Sequence, residues 1–387
     1  MVDETIDLTA SCLCNSHVYS TNLPKSSLPL KAHICHCSSC RHVTGSLCTS
    51  IVWPSPFVES INDISSLKRY RYSPDFDFLF CPTCSTPIFG VFDDGTQTTG
   101  VLTGCLNNFA AEGVEAVRWD DMGFVGDTKD GGASPWLRNV NATGPALKCF
   151  SGRTYKQDAI ELPEDWPKQD QASERAADRQ DSVPIHCKCQ GVDLYLHRGD
   201  YKTMDAKDLP WNVDAQTRKI KANLCGCNSC RLQSGNDVFN WTFVELKNIS
   251  YSTSSSGDIS FPTHMDDLAA LVDTQDERIG SLRYYNSSPG IERYFCGTCS
   301  ATVFFASNGR PSIVDVAVGV LDASDGARAE GLLAWSLEKE VEFKGDAKGG
   351  WREGLLERVE RAARDYAEKR GWSTYHDSYI VYDVAWQ

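Results

Sequence analysis

Two stretches of this chain spell the same arrangement of seven cysteines. The first reads C-x-C (Cys12, Cys14), C-x-C-x-x-C (Cys35, Cys37, Cys40) and C-x-x-C (Cys81, Cys84). The second repeats it as Cys187 and Cys189, then Cys225, Cys227 and Cys230, then Cys296 and Cys299. Flanking residues follow suit: "SSCRHVTGS" stands opposite "NSCRLQSGN", "LTGCLNN" opposite "AVGVLDA", and "FVGDTKDGGASPW" opposite "FKGDAKGGW". So many matches in one order identify an internal duplication. Each copy must therefore fold so that thiols tens of residues apart can meet.

A chain of 387 residues can supply a core for each copy. The expected division is a first domain over 1–164, a linker over 165–184 and a second domain over 185–387. The linker "DWPKQDQASERAADRQDSVP" is polar and bounded by prolines, with a short exposed helix through "ASERAADRQ" as the alternative. Longer gaps in the second copy, around "GDYKTMDAKDLPWNVDAQTRK" and "STSSSGDISFPTHMDD", read as surface insertions. The fold class is mainly β, because segments such as "SIVW", "TPIFGVF", "WTFVEL", "ATVFFAS" and "SIVDVAVGVL" are short, β-branched or aromatic. One C-terminal helix is expected at "WREGLLERVERAARDYAEKR", where Leu355, Val359, Ala362 and Tyr366 form a core-facing stripe.

Seventeen cysteines, with an acidic N-terminal segment that lacks an apolar h-region, point to metal rather than disulfides and to a reducing, cytoplasmic setting. No apolar run approaches the roughly 20 residues that span a bilayer. A net charge of -14 argues against nucleic acid as partner. Seven thiols per copy partition as four plus three. Cys12, Cys14, Cys81 and Cys84, then Cys187, Cys189, Cys296 and Cys299, suit closed structural zinc sites. The triplets Cys35, Cys37, Cys40 and Cys225, Cys227, Cys230 suit zinc with a fourth position left for substrate, hence up to four zinc ions per chain. Three thiolates make such a zinc a poor acid toward water and a better partner for a substrate sulfur. The alternative is closure by a neighbour: His36, His42 or Cys48 in the first copy, or Asp237 in the second. Cys105, opposite Val320, reads as a core residue, and Cys149 has no counterpart.

The run C-x-C, C-H-C-x-x-C-R with Thr-Gly following, then F-C-x-x-C, resembles the glutathione-dependent formaldehyde-activating enzyme family, also called the centromere protein V/Gfa family. The resemblance covers roughly 5–150 and 183–350. It implies two repeated β-tent zinc-binding domains, with Cys35, Cys37, Cys40 and Cys225, Cys227, Cys230 as the catalytic ligands. It also implies a carbon–sulfur lyase acting on glutathione adducts such as S-hydroxymethylglutathione. Alternatives are a tailoring enzyme for another small metabolite on the same scaffold, and a non-catalytic zinc-stabilised binding protein. Arg41 and Arg231, after each triplet, are candidates for an anion site or a structural ion pair. Gly226 replaces the family's histidine, and Ser85 and Ser300 replace its usual glycine. The two copies are expected to pack as an intramolecular pseudo-dimer.

Overall fold

The computed structural model describes residues 4–57, 64–93, 98–110, 114–154, 158–167, 181–252 and 260–372. Among the described residues the architecture is mainly β, in four sheets. In the first copy a hairpin pairs Thr5–Ser11 with Val18–Pro24. The main sheet then runs Lys68–Ser73, Phe76–Phe80, Pro87–Phe92, Thr99–Leu102, Thr49–Val52, Leu30–Cys35 and Val117–Gly123, with Lys148–Cys149 at its edge. The second copy repeats that order as Leu282–Ser288, Ile291–Cys296, Thr302–Ser307, Ile313–Ala317, Phe239–Glu245, Ile220–Cys225 and Leu333–Trp335. Its smaller sheet holds Ser182–His186, Asp193–His197 and Ile249–Tyr251. The duplication read from the cysteines is thus repeated strand by strand.

Strands such as Thr302–Ser307 and Ile313–Ala317 are buried along their whole length, so they read as continuous apolar or aromatic runs rather than alternating ones. The buried side chains form one hydrophobic cluster that draws on both copies. The helix Trp351–Lys369 buries Leu355 and Val359 as expected, together with Leu356, Ala363 and Ala367, while Ala362 and Tyr366 lie half-buried beside them. A shorter helix, Met265–Asp273, begins at the end of the second insertion and is capped by the His264 side chain. The helical alternative through "ASERAADRQ" lies outside the described residues. No described helix is long and apolar enough to cross a membrane.

The copies touch through equivalent positions. Gly104 donates its N–H to the Gly235 carbonyl at 3.0 Å, and Gly319, its counterpart, donates to the Gly45 carbonyl at 2.9 Å. Gly45 and Gly235 each end a helix, Ser38–Thr44 and Asn228–Ser234, in the left-handed conformation that glycine adopts without a Cβ penalty. A Cβ on Gly104 would lie 2.3 Å from the Asn236 nitrogen, and one on Gly319 2.2 Å from the Ser46 oxygen. Glycine is what lets the backbones meet. A buried ion pair of Arg352 with Asp237, 2.7 Å, adds a second bond, because Arg352 also donates to the Thr103 carbonyl at 2.6 Å.

Candidate metal centres

Each four-cysteine set is assembled from two turns. Cys12 and Cys14 follow the strand Thr5–Ser11, and Cys81 and Cys84 follow Phe76–Phe80. Sulfur separations are 3.5 Å for Cys12–Cys14 and 3.6 Å for Cys14–Cys81, and 3.5 Å for both Cys187–Cys189 and Cys189–Cys296. That spacing is far too long for a disulfide and close to the edge of a zinc–thiolate tetrahedron, about 3.8 Å. Contacts from Cys12 and Cys81 hold the Cys84 thiol far below its ordinary range, while contacts with Cys81 and Cys84 push Cys12 up. Thiolates packed this closely repel one another, so holding the set ionised needs a cation among them. The donor set fits zinc. Ser85 and Ser300 both sit at positive φ, 63° and 71°, and close the tight turns by donating to the Cys81 and Cys296 carbonyls. This is the conformation that explains why glycine is usual there.

Each triplet is built by a strand running into a helix. Cys35 ends Leu30–Cys35; Cys37 caps the helix Ser38–Thr44 by accepting the Cys40 N–H at 3.3 Å; Cys40 lies in the first turn. Cys225, Cys227 and Cys230 repeat this, with the Cys230 N–H 3.2 Å from the Cys227 sulfur. The three sulfurs of each triplet lie within 4.8 Å of one another, and among the described residues no imidazole or carboxylate joins either group. The neighbours that could close a triplet lie outside both groups. His42 Nδ1 bonds the His186 carbonyl at 2.7 Å, and Asp237 pairs with Arg352. His36 is buried with neither ring nitrogen hydrogen-bonded to protein, and Cys48 faces the contact between the copies near Asp237.

Around these similar frames the surroundings diverge. In the first copy the Tyr72 hydroxyl lies 3.2 Å from both the Cys37 and Cys40 sulfurs, and its ring meets Phe76 and Phe78 edge-on at 5.8 and 5.3 Å. In the second copy Trp241 Nε1 donates to the Cys230 sulfur at 3.3 Å, and Arg293 Nη1 lies 3.7 Å from it. Arg293 is buried, stacks over Phe305 at 5.0 Å and donates to Ser287 Oγ at 3.0 Å. A cavity of about 200 Å³ opens beside this triplet, lined also by Arg310, Asp315 and Glu342. Arg310 and Asp315 pair at 2.6 Å, and burial pushes the Glu342 carboxyl up to about 7.

The glutathione-dependent formaldehyde-activating enzyme model matches residues 7–119 and 211–335, one segment in each copy. The chain belongs to this family. No curated protein and no solved structure matches it. Membership in this family, whose enzymes act on glutathione adducts, agrees with thiol clusters able to hold zinc. The structure also accounts for this member's departure at Gly226: a Cβ there would lie 2.8 Å from Leu356 of the C-terminal helix, so that helix fills the space a histidine would need. Arg231 spans the copies by donating to the Gly104 and Leu106 carbonyls, which is structural work. Tyr72, Trp241, Arg293 and Glu342 were not anticipated. A signal existed: counting back from "FC" aligns Tyr72 with Ser287 and Phe78 with Arg293, placing a lone arginine in a buried aromatic strand.

Proposed function

We propose that this protein is a zinc-dependent carbon–sulfur lyase acting on a small thiol adduct such as S-hydroxymethylglutathione. In this reading the four-cysteine sets hold structural zinc, and Cys35, Cys37, Cys40 and Cys225, Cys227, Cys230 hold up to two more ions. The residues fall into β-tent domains over 1–164 and 185–387, joined as an intramolecular pseudo-dimer. The reciprocal Gly104–Gly235 and Gly319–Gly45 hydrogen bonds support that arrangement. Seventeen free cysteines support a reducing setting such as the cytosol.

The observation that carries the proposal is the second triplet, set against a cavity with polar groups converging on it. A zinc ion bound there by three thiolates would take a substrate sulfur and ease its departure as thiolate. In the cleavage the C–S bond breaks, its electron pair stays on sulfur, the hydroxyl proton is released, and formaldehyde leaves. Glu342 lines the cavity and is placed to take that proton. Arg293 and Trp241 direct N–H groups at Cys230 and damp the charge that gathers on the sulfurs. Trp241 and the Arg310–Asp315 pair also give the cavity a recognition surface beyond a bare thiol. That favours one second reading, the same scaffold working on a different small metabolite.

The test is turnover of S-hydroxymethylglutathione by zinc-loaded protein, with zinc counted per chain. Four zinc ions, falling to three in Cys37→Ser or Cys227→Ser, and release of formaldehyde are expected. Zinc at full complement without turnover or glutathione binding, measured by calorimetry, would reject the glutathione-adduct assignment. Activity on another metabolite would then favour the second reading.

A further inference from the structure

The two copies share one strand irregularity beside their triplets and differ in the residue it carries. In the first copy the pairing of Lys68–Ser73 with Phe76–Phe80 jumps from Arg71↔Asp77 to Ser73↔Phe76, leaving Tyr72 as the extra residue. In the second the same jump, from Asn286↔Glu292 to Ser288↔Ile291, leaves Ser287. A bulge frees its extra residue from the ladder and re-aims the side chain. The aimed groups are a phenol in one copy and a short hydroxymethyl in the other.

We propose that Tyr72 closes the first three-cysteine centre, leaving the second as the centre that admits an external thiol. This rests on the zinc-binding reading above. The Tyr72 oxygen, 3.2 Å from two of the three sulfurs, stands where an incoming sulfur would have to sit. Its ring packs edge-on against Phe76 and Phe78. Lys188 of the other copy lies 5.7 Å over the same ring and is fixed to Ser39 by a 2.7 Å hydrogen bond. A phenol oxygen carries lone pairs and can occupy a donor position. The groups nearest Cys230 cannot: guanidinium and indole N–H are donors only. With Arg293 drawn onto Ser287, the second triplet keeps its approach through the cavity.

The test uses the full chain with cobalt replacing zinc, titrated with 2-mercaptoethanol, while sulfur-to-cobalt charge-transfer absorption is followed. Wild type should take up about one equivalent of thiol per chain, and Tyr72→Phe about two, because cobalt and zinc share the tetrahedral thiolate chemistry of such sites. Phenylalanine keeps the ring packing, and Tyr72→Ser, which copies the second repeat, should behave alike. Two equivalents in wild type would overturn the proposal. So would identical uptake in wild type and both variants. No uptake in wild type but one equivalent in the variants would keep Tyr72 as the closing group, overturn the second centre as the one that admits a thiol, and count against its lyase reading.

Discussion

The first repeat sets a phenol backed by two phenyl rings against its three sulfurs, and the second sets an indole and a guanidinium there. Strand register makes the exchange residue by residue: Phe78 faces Gly90 where Arg293 faces Phe305, and Gly100 stands where Asp315 does. Near the triplet itself, Gly123 pairs with Cys35 where Glu342 pairs with Cys225. The glycines of the first repeat are covered, not idle. A Cβ on Gly100 would lie 2.2 Å from the Trp53 ring, and one on Gly90 2.3 Å from Phe76. The backbone that brings three sulfurs together is therefore separable from the side chains that decide what meets them. A handful of positions turns a packed aromatic face into a cavity with charged side chains in its lining.

That contrast can be broken or sharpened by experiment. The largest effect is expected from removing one ligand at each centre: Cys227→Ser should reduce turnover to background, whereas Cys37→Ser should leave most of it. Comparable losses in steady-state assays would mean the repeats share the work. Next comes Arg352, which has no partner of its kind in the first copy. Arg352→Ala strips a buried ion pair of one member and should cost about 3–5 kcal/mol in denaturant unfolding. A cost below about 1 kcal/mol would place that pair among the weak surface bridges. Arg293→Phe imports the first repeat's residue and should lower kcat/KM by about 10–100-fold with the zinc count unchanged, the scale seen for groups supporting a metal's ligands. Unaltered kinetics would remove Arg293 from the site. Gly45→Ala and Gly235→Ala test the junctions between the copies. Each forces a left-handed backbone on alanine, about 1–2 kcal/mol. The new Cβ lies 2.2 Å from the Thr302 carbonyl oxygen in the first case and 2.5 Å from the Leu102 side chain in the second. Melting temperature should therefore fall further for Gly45→Ala, whose closest clash is with backbone.

Much of this was legible in the sequence because it is written in local patterns. The cysteine spacing foretold both the duplication and the grouping of thiols, since strand exit, helix cap and first turn are set by consecutive residues. Strands such as Thr302–Ser307 announced themselves by composition. What stayed hidden depends on pairing across distance. Tyr72 reaches the sulfurs because a bulge turns it, and a bulge is a property of two strands together. Arg293 meets Cys230 from 63 positions away, through a sheet order that no single segment encodes. Gly226 was visible as a departure, but its cause, Leu356 on a helix at the far end of the chain, was not.

The paired glycine contacts between the copies carry a last consequence. Two separate chains meeting this way would fall apart on dilution, and any change to one partner would be imposed on the other. Tethered in one polypeptide, each half meets the other at an effective concentration fixed by the connecting chain rather than by expression level. Every substitution then lands once. A sequence so arranged can keep one half as a fixed companion while the other is free to adjust its chemistry.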